Sequence, residues 1–244
     1  MPESFAITRL LNHLFAGSID ALLALIGIHP ANPTAPISDN YTVEIFIALG
    51  LIVFFAVVRM NLSVEKPGSM QQVAEMIHEG IGGQSEQIIG HGFERFQAFV
   101  TCIFLFILVC NLIGLVPGIE APTKAGVVPL GLAIATFVYY NFYGFKEQGV
   151  IGYIKHFAGP VWWISWLLFP VELISHAARL LSLSVRLWAN MFAGDLVTMV
   201  FFSIFPIALP VVFLGLHVFV SLVQAFLFMV LTMIYLAMAT QHEH

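Results

Sequence analysis

Charge is scarce in this 244-residue sequence: only 9% of positions are Asp, Glu, Lys or Arg, against 59% hydrophobic residues. That scarcity excludes a water-soluble globule, which would have to expose large apolar patches at this composition. The formal net charge is −5, with no basic cluster of the kind that follows a phosphate backbone, so nucleic acid is not an expected partner. Cysteine is nearly absent. Cys102 and Cys110 lie in one apolar segment without C-x-x-C spacing, which argues for small buried hydrophobes over a disulfide or a metal site. No cofactor is expected either. The first residues do not form a secretory signal, because Glu3 precedes Arg9 and Asp20 interrupts the apolar part.

Long apolar runs take the place of charge, and a span needs ~20 residues to cross a bilayer. The predicted class is an all-α integral membrane protein with about five transmembrane helices plus interfacial amphipathic helices. It is read as a single membrane domain, residues 1–244, in which 1–40 form an N-terminal interfacial helix and linker and 41–244 the transmembrane part. Residues 4–28 are expected to lie at the interface with Phe5, Leu11, Phe15, Ile19 and Leu22 toward lipid. The spans are predicted over Tyr41–Met60, Phe96–Val116, Val127–Tyr143, a long run from Val161 to Phe205 broken only by Pro170, and Val211–Thr240. Between the first two, residues 61–95 are too polar for hydrocarbon and should lie on one face as an amphipathic helix. The stretch GFKEQGVIGYIKHFAG is expected to be a polar loop, and Trp162, Trp163 and Trp166 an interfacial belt.

From Leu167 the fourth span would be roughly 58 Å long, about twice the hydrocarbon thickness. It must tilt steeply or bend. Pro206 and Pro210 would turn it into an antiparallel hairpin with the last helix. Five spans put the termini on opposite sides. With the N-terminus outside, Arg59, Lys66, Arg95, Lys146 and Lys155 fall inside and only Arg9 and Lys124 outside, which obeys the positive-inside rule and places the C-terminus in the cytoplasm.

Within the run LLSLSVRLWANMFAGDL stands Arg186. At about 100° per residue, Glu172, Ser175, Arg179, Ser182, Asn190 and Ala193 fall within about 40° of it, so one face is polar and small-residued. Neither Glu172, nearly four turns away, nor Asp195, on the opposite face, is a local partner. A partner from another chain or from water-filled space is therefore expected, since an unpaired guanidinium in lipid costs about 3 kcal/mol or more. Folding the hairpin about Pro206 brings Asp195 and His217 to one depth, because each stands the same number of residues from the turn. Arg186 reaches the level of Gln224 and Phe226. His217, Ser221, Gln224, Phe228 and Tyr235 share a face of the last helix. An Asp beside a His at depth can exchange protons, which is weighed above a purely packing role. His176 lies about 80° off the stripe and reads as structural before it reads as a site. Asn111 reads as a packing or capping residue.

SLSVRLWANMFAGDL, HVFVSLVQAFLFMVLTMIYLAMA and NLIGLVPG followed by APT together resemble subunit a of the F-type ATP synthase membrane sector, bacterial type. The resemblance implies a non-catalytic stator subunit, with no ATP site of its own, in a bacterial inner membrane. It implies a rotor ring of c subunits as the partner, with peripheral-stalk b subunits and the rest of the synthase around it. Arg186 matches the family's essential arginine, Asn190 and Gln224 its asparagine and glutamine, and Asp195 and His217 its outer half-channel. Glu172 and Ser182 match positions of the inner path or the rotor-facing surface. Ser221, Ser175, Arg179, His176 and Tyr235 complete the candidate set. Trp188 and Ala189 depart from the usual Phe-Gly, and the loop KAGVVPLG lacks a common asparagine. The small residues Ala189, Ala193 and Gly194 would let this helix approach the rotor closely. The carried ion is expected to be H⁺, with Na⁺ left open because that choice rests mainly on the ring. A stand-alone channel or transporter using Arg186 as an anion site would need repeats and broken helices that are not found. A haem protein using His176 and His217 would need a further haem signature.

Overall fold

The computed structural model describes residues 6–25, 38–116, 119–158, 165–204 and 208–240. Those residues are helical apart from turns: α1 (Ala6–Leu25), α2 (Asp39–Met60), α3 (Ser69–Ile89), α4 (Glu94–Ile113), a short 3-10 turn (Pro122–Lys124), α5 (Val127–Ala158), α6 (Ser165–Ile204) and α7 (Ala208–Thr240). Five helices are long and apolar enough to span a membrane, as the hydrophobic runs predict. The chain divides into two compact units, Met1–Val57 and Val58–His244.

In the first unit, α1 exposes Ile7, Leu10, Leu14 and Phe15 and buries Thr8 and Asn12. Leu11 is only partly exposed, so the apolar exposed face is set by Leu10 and Leu14 with Phe15; the side chains of Phe5, Ile19 and Leu22 lie outside the described residues. α2 has Asp39 in its first turn and Arg59 in its last, charges that complement the helix dipole at both ends.

In the second unit α5 packs chiefly on α6 and α4 on α7, with α7 also against α6 and α5. Two apolar clusters fill the bundle. One joins Ile81, Phe96, Val100, Tyr140, Met229, Met233 and Leu236. The other joins Ile103, Ile107, Ala133, Leu183, Leu187, Met191, Ala225 and Phe228. α3 is amphipathic as expected: it buries Ile81, Gly82, Ser85 and Ile89 and exposes Met70, Val73 and Met76.

One boundary differs from the sequence reading. The stretch expected as a polar loop after Tyr143 continues α5 to Ala158, and the backbone departs from helical geometry within it at Gly149 (φ 71°, ψ 159°). Glycine alone adopts that conformation cheaply, so two helical segments meet at a kink there. The polar composition lowers hydrophobicity without lowering helix propensity, and that difference misled the expectation. Pro170 lies inside α6 near its start, where it removes one backbone hydrogen bond without ending the helix. Of the expected Trp belt, Trp166 is exposed and Trp162 and Trp163 lie outside the described residues, as does Pro206 of the expected turn; Pro210 falls in the first turn of α7.

Polar groups tie one end of the bundle. Thr123 Oγ1 donates to Asn111 Oδ1 at 2.7 Å, and Asn111 Nδ2 donates to the Ser221 carbonyl at 3.5 Å. Asn111 therefore joins α4, the 3-10 turn and α7, the packing role expected of it. Just after α4, Gly114 leaves no room for a side chain, since a Cβ would come within 2.6 Å of Ala121 Cβ and 3.0 Å of its backbone nitrogen. Gly114→Ala should therefore displace the 3-10 turn and cost about 1–3 kcal/mol. A lowered melting temperature of the detergent-purified protein checks this; unchanged melting would show that the turn yields freely.

Candidate functional site

The site is built on the hairpin of α6 and α7. The buried side of α6 carries His176, Leu183, Ser184, Leu187 and Met191, which face the bundle. The polar stripe lies at the margin of that side: Glu172, Ser175, Arg179, Arg186 and Asn190 are half-buried, and Ser182 and Ala193 are exposed. α7 contributes buried His217, Ser221, Gln224 and Phe228. Three groups of contacts follow along the hairpin.

At the end of the hairpin nearer its turn Asp195 Oδ1 lies 3.9 Å from His217 Nδ1, as counting from the turn predicted. Asp195 Oδ2 lies 3.2 Å from Lys124 Nζ, a partner the sequence reading used only to orient the chain. His217 Nε2 is buried without a hydrogen-bond partner among the described residues, and so is Ser221 Oγ. A half-open cavity of ≈ 200 Å³, large enough for water, is lined by Asn190, Ala193, Gly194, Val197, Thr198, Phe213, Leu216, His217 and Val220. Gly194 also admits His217, since a Cβ there would come within 3.1 Å of His217 Nδ1.

In the middle, Asn190 Nδ2 donates to Gln224 Oε1 at 2.7 Å, joining the two helices one turn from Arg186. At the end far from the turn Glu172 Oε1 lies 3.5 Å from His176 Nε2 and 3.6 Å from Arg179 Nη2. His176 Nδ1 lies 3.0 Å from the Tyr140 hydroxyl, and the Arg179 guanidinium stands 5.7 Å from the centre of the Tyr235 ring. His176, off the stripe by angle, thus joins the Glu172 group through its ring, and Tyr140 of α5 is a neighbour that no pattern on α6 could reveal.

Arg186 forms no ion pair among the described residues. Glu172 is engaged by His176 and Arg179, and Asp195 by Lys124 and His217. Tyr235 of α7 lies within electrostatic range of both Arg179 and Arg186.

The arrangement supplies an ordered hairpin with a carboxylate and imidazole at each end and an uncompensated guanidinium between. Residues 42–237 match the family model described as ATP synthase A chain. The chain belongs to that family. It is 49% identical to ATP synthase subunit a of Koribacter versatilis (strain Ellin345) over 244 residues, all of both chains. It is 46% identical to ATP synthase subunit a of Solibacter usitatus (strain Ellin6076), covering 96% of this chain and 99% of that one. ATP synthase subunit a of Sulfurimonas denitrificans is 39% identical over 83% of this chain and 91% of its own. Membership makes the chain a multi-pass, proton-translocating membrane subunit of the ATP synthase complex.

The fit of Gly194 against His217 gives a test of the outer geometry. Gly194→Val should push the imidazole away from Asp195 and slow proton transport by about tenfold or more, with assembly retained. Proton uptake by vesicles measures it, and wild-type uptake would show that this contact is not needed.

Proposed function

We propose that this chain is the stator that carries protons past the rotor ring of c subunits through two half-channels, with Arg186 separating them. The observation that carries this reading is a permanently charged guanidinium, half-buried on an apolar helix, whose possible internal acids are both engaged elsewhere. Such a group calls for an anion from outside its own fold. A membrane-embedded rotor carboxylate meets that need. Arg186 then stabilises the ionised carboxylate in front of it and disfavours the protonated one, so no protonated site passes directly between the channels.

In this mechanism a proton enters from the outer face past Asp195 and His217, through the cavity lined by Asn190 and His217, and neutralises a rotor carboxylate. The neutral site can travel through lipid, where a charged one could not. After nearly a full turn the proton leaves toward the inner face by way of the Glu172 group, with Ser175 and Ser182 on the same stripe. Gln224, bonded to Asn190, fixes the spacing of the two helices beside the rotor, and Ser221 adds a buried hydroxyl next to His217. Each charge crossing the field releases about 2.3 kcal/mol per 100 mV, which biases the direction of rotation. The setting is a bacterial inner membrane with the N-terminus outside and the C-terminus in the cytoplasm, and peripheral-stalk b subunits hold the stator in place. The excess of Lys and Arg on the inner loops supports that orientation.

Arg186→Ala in the assembled complex is expected to reduce ATP-driven proton uptake by about 10²-fold or more while the complex still purifies intact. Normal uptake would remove the central role given to the arginine. Asp195→Ala and His217→Ala should slow transport with a dependence on outer pH between about 6 and 9. Rates unchanged over that range would rule out the Asp195–His217 entrance.

A further inference from the structure

Lys124 is delivered to the outer end of the hairpin by a rigid turn. Thr123, the residue before it, is fully buried and bonded to Asn111, and Gly114 is packed under Ala121 with no space between them. From that anchor the Lys124 ammonium lies 3.2 Å from Asp195 Oδ2 and 3.6 Å from Glu120 Oε1. Asp195 therefore gives one oxygen to the lysine and presents the other to His217. Side-chain exposure falls along this file from 65% at Glu120 to 29% at Lys124, 27% at Asp195 and 5% at His217. The file ends on an imidazole whose Nε2 is buried and unpartnered and which lines the cavity.

We propose that Lys124 is a positioning residue of the outer proton entrance, holding one Asp195 oxygen so that the other faces His217. This rests on the reading of Asp195 and His217 as that entrance. A free carboxylate with this exposure could turn to water and away from the ring, whereas an ammonium on its second oxygen fixes the rotation. The charge acts as well as the hold. The titratable groups facing Lys124 are Glu120 from its own segment and Asp195 from α6, with His217 of α7 behind Asp195; these carboxylates are its ion pairs among the described residues. Removing the ammonium leaves Asp195 and His217 more electronegative surroundings, so a proton is held more tightly and released to the rotor later.

The test uses the whole ATP synthase complex in vesicles, with proton flux measured as pH is varied on the face where Lys124 lies. Lys124→Met is expected to slow the flux by about tenfold and to move its pH dependence toward alkaline pH by about one unit. Lys124→Arg should restore both, since it keeps the charge. Dependence on the opposite face's pH should not move. A Lys124→Met complex with wild-type rate and profile overturns the proposal, and so does a loss that Arg does not restore. If Lys124→Met does not assemble, Lys124→Gln, uncharged but polar, gives the same two readouts. Asp195→Asn is measured in parallel. If it too is normal, the entrance reading itself has failed; if it is slow while Lys124→Met is normal, only the role of Lys124 falls.

Discussion

A guanidinium on an apolar helix can be tolerated by losing its proton, by pairing with an acid of the same fold, or by facing water or another molecule. Arginine does not lose its proton at any physiological pH. The second route is closed for Arg186 because Glu172 and Asp195 each already hold other partners, Arg179 in one case and Lys124 in the other. What is left is contact outside the chain's own fold. The proposed rotor carboxylate fills that place, and the rest of the hairpin can be understood as keeping Arg186 available for it.

Availability depends on spacing. Asn190 donating to Gln224 fixes α6 against α7 close to Arg186, and amide pairs of this kind hold helices together where lipid offers no hydrophobic drive. Toward the hairpin turn Gly194 lets the His217 ring come against α6, and toward the core Leu187, Met191, Ala225 and Phe228 interlock. A side chain larger than glycine at 194 would move the imidazole, while loss of the Asn190 amide would leave a buried acceptor on Gln224 unsatisfied. The two contacts constrain different coordinates of the same pair of helices.

Much of this was legible in the amino-acid sequence because bilayers demand long apolar runs, and such runs can be counted. The spans, the length of α6 and the meeting of Asp195 with His217 all follow from residue counts along helices. The missed features share a physical cause. The extension of α5 beyond Gly149 was hidden because polarity was taken to end a helix, when only the backbone at one glycine bends. Tyr140 and Lys124 reach the site from other elements, and helical periodicity is silent about contacts between helices. For Lys124 one signal was present: a lysine in a loop expected to face outward runs against the positive-inside trend, and such a charge has a reason to be there.

The two ends of the hairpin have similar chemical makeup. Glu172 stands with His176 and Arg179, and Asp195 with His217 and Lys124, so each end combines a carboxylate, an imidazole and a permanent cation. At the Glu172 end carboxylate and cation offset one another, and at the other end Lys124 is shared between Asp195 and the more exposed Glu120, so both ends hold paired charges at the edge of an apolar bundle. Arg186 lies between them along α6 as a charge that no acid among the described residues pairs with, and it repels a positive charge approaching from either side. A proton held at one end therefore meets an electrostatic barrier along the helix itself. In the proposed mechanism the route of lower energy is the one through a rotor carboxylate, and this is why two similar groups separated by one arginine act as two channels instead of a single leak.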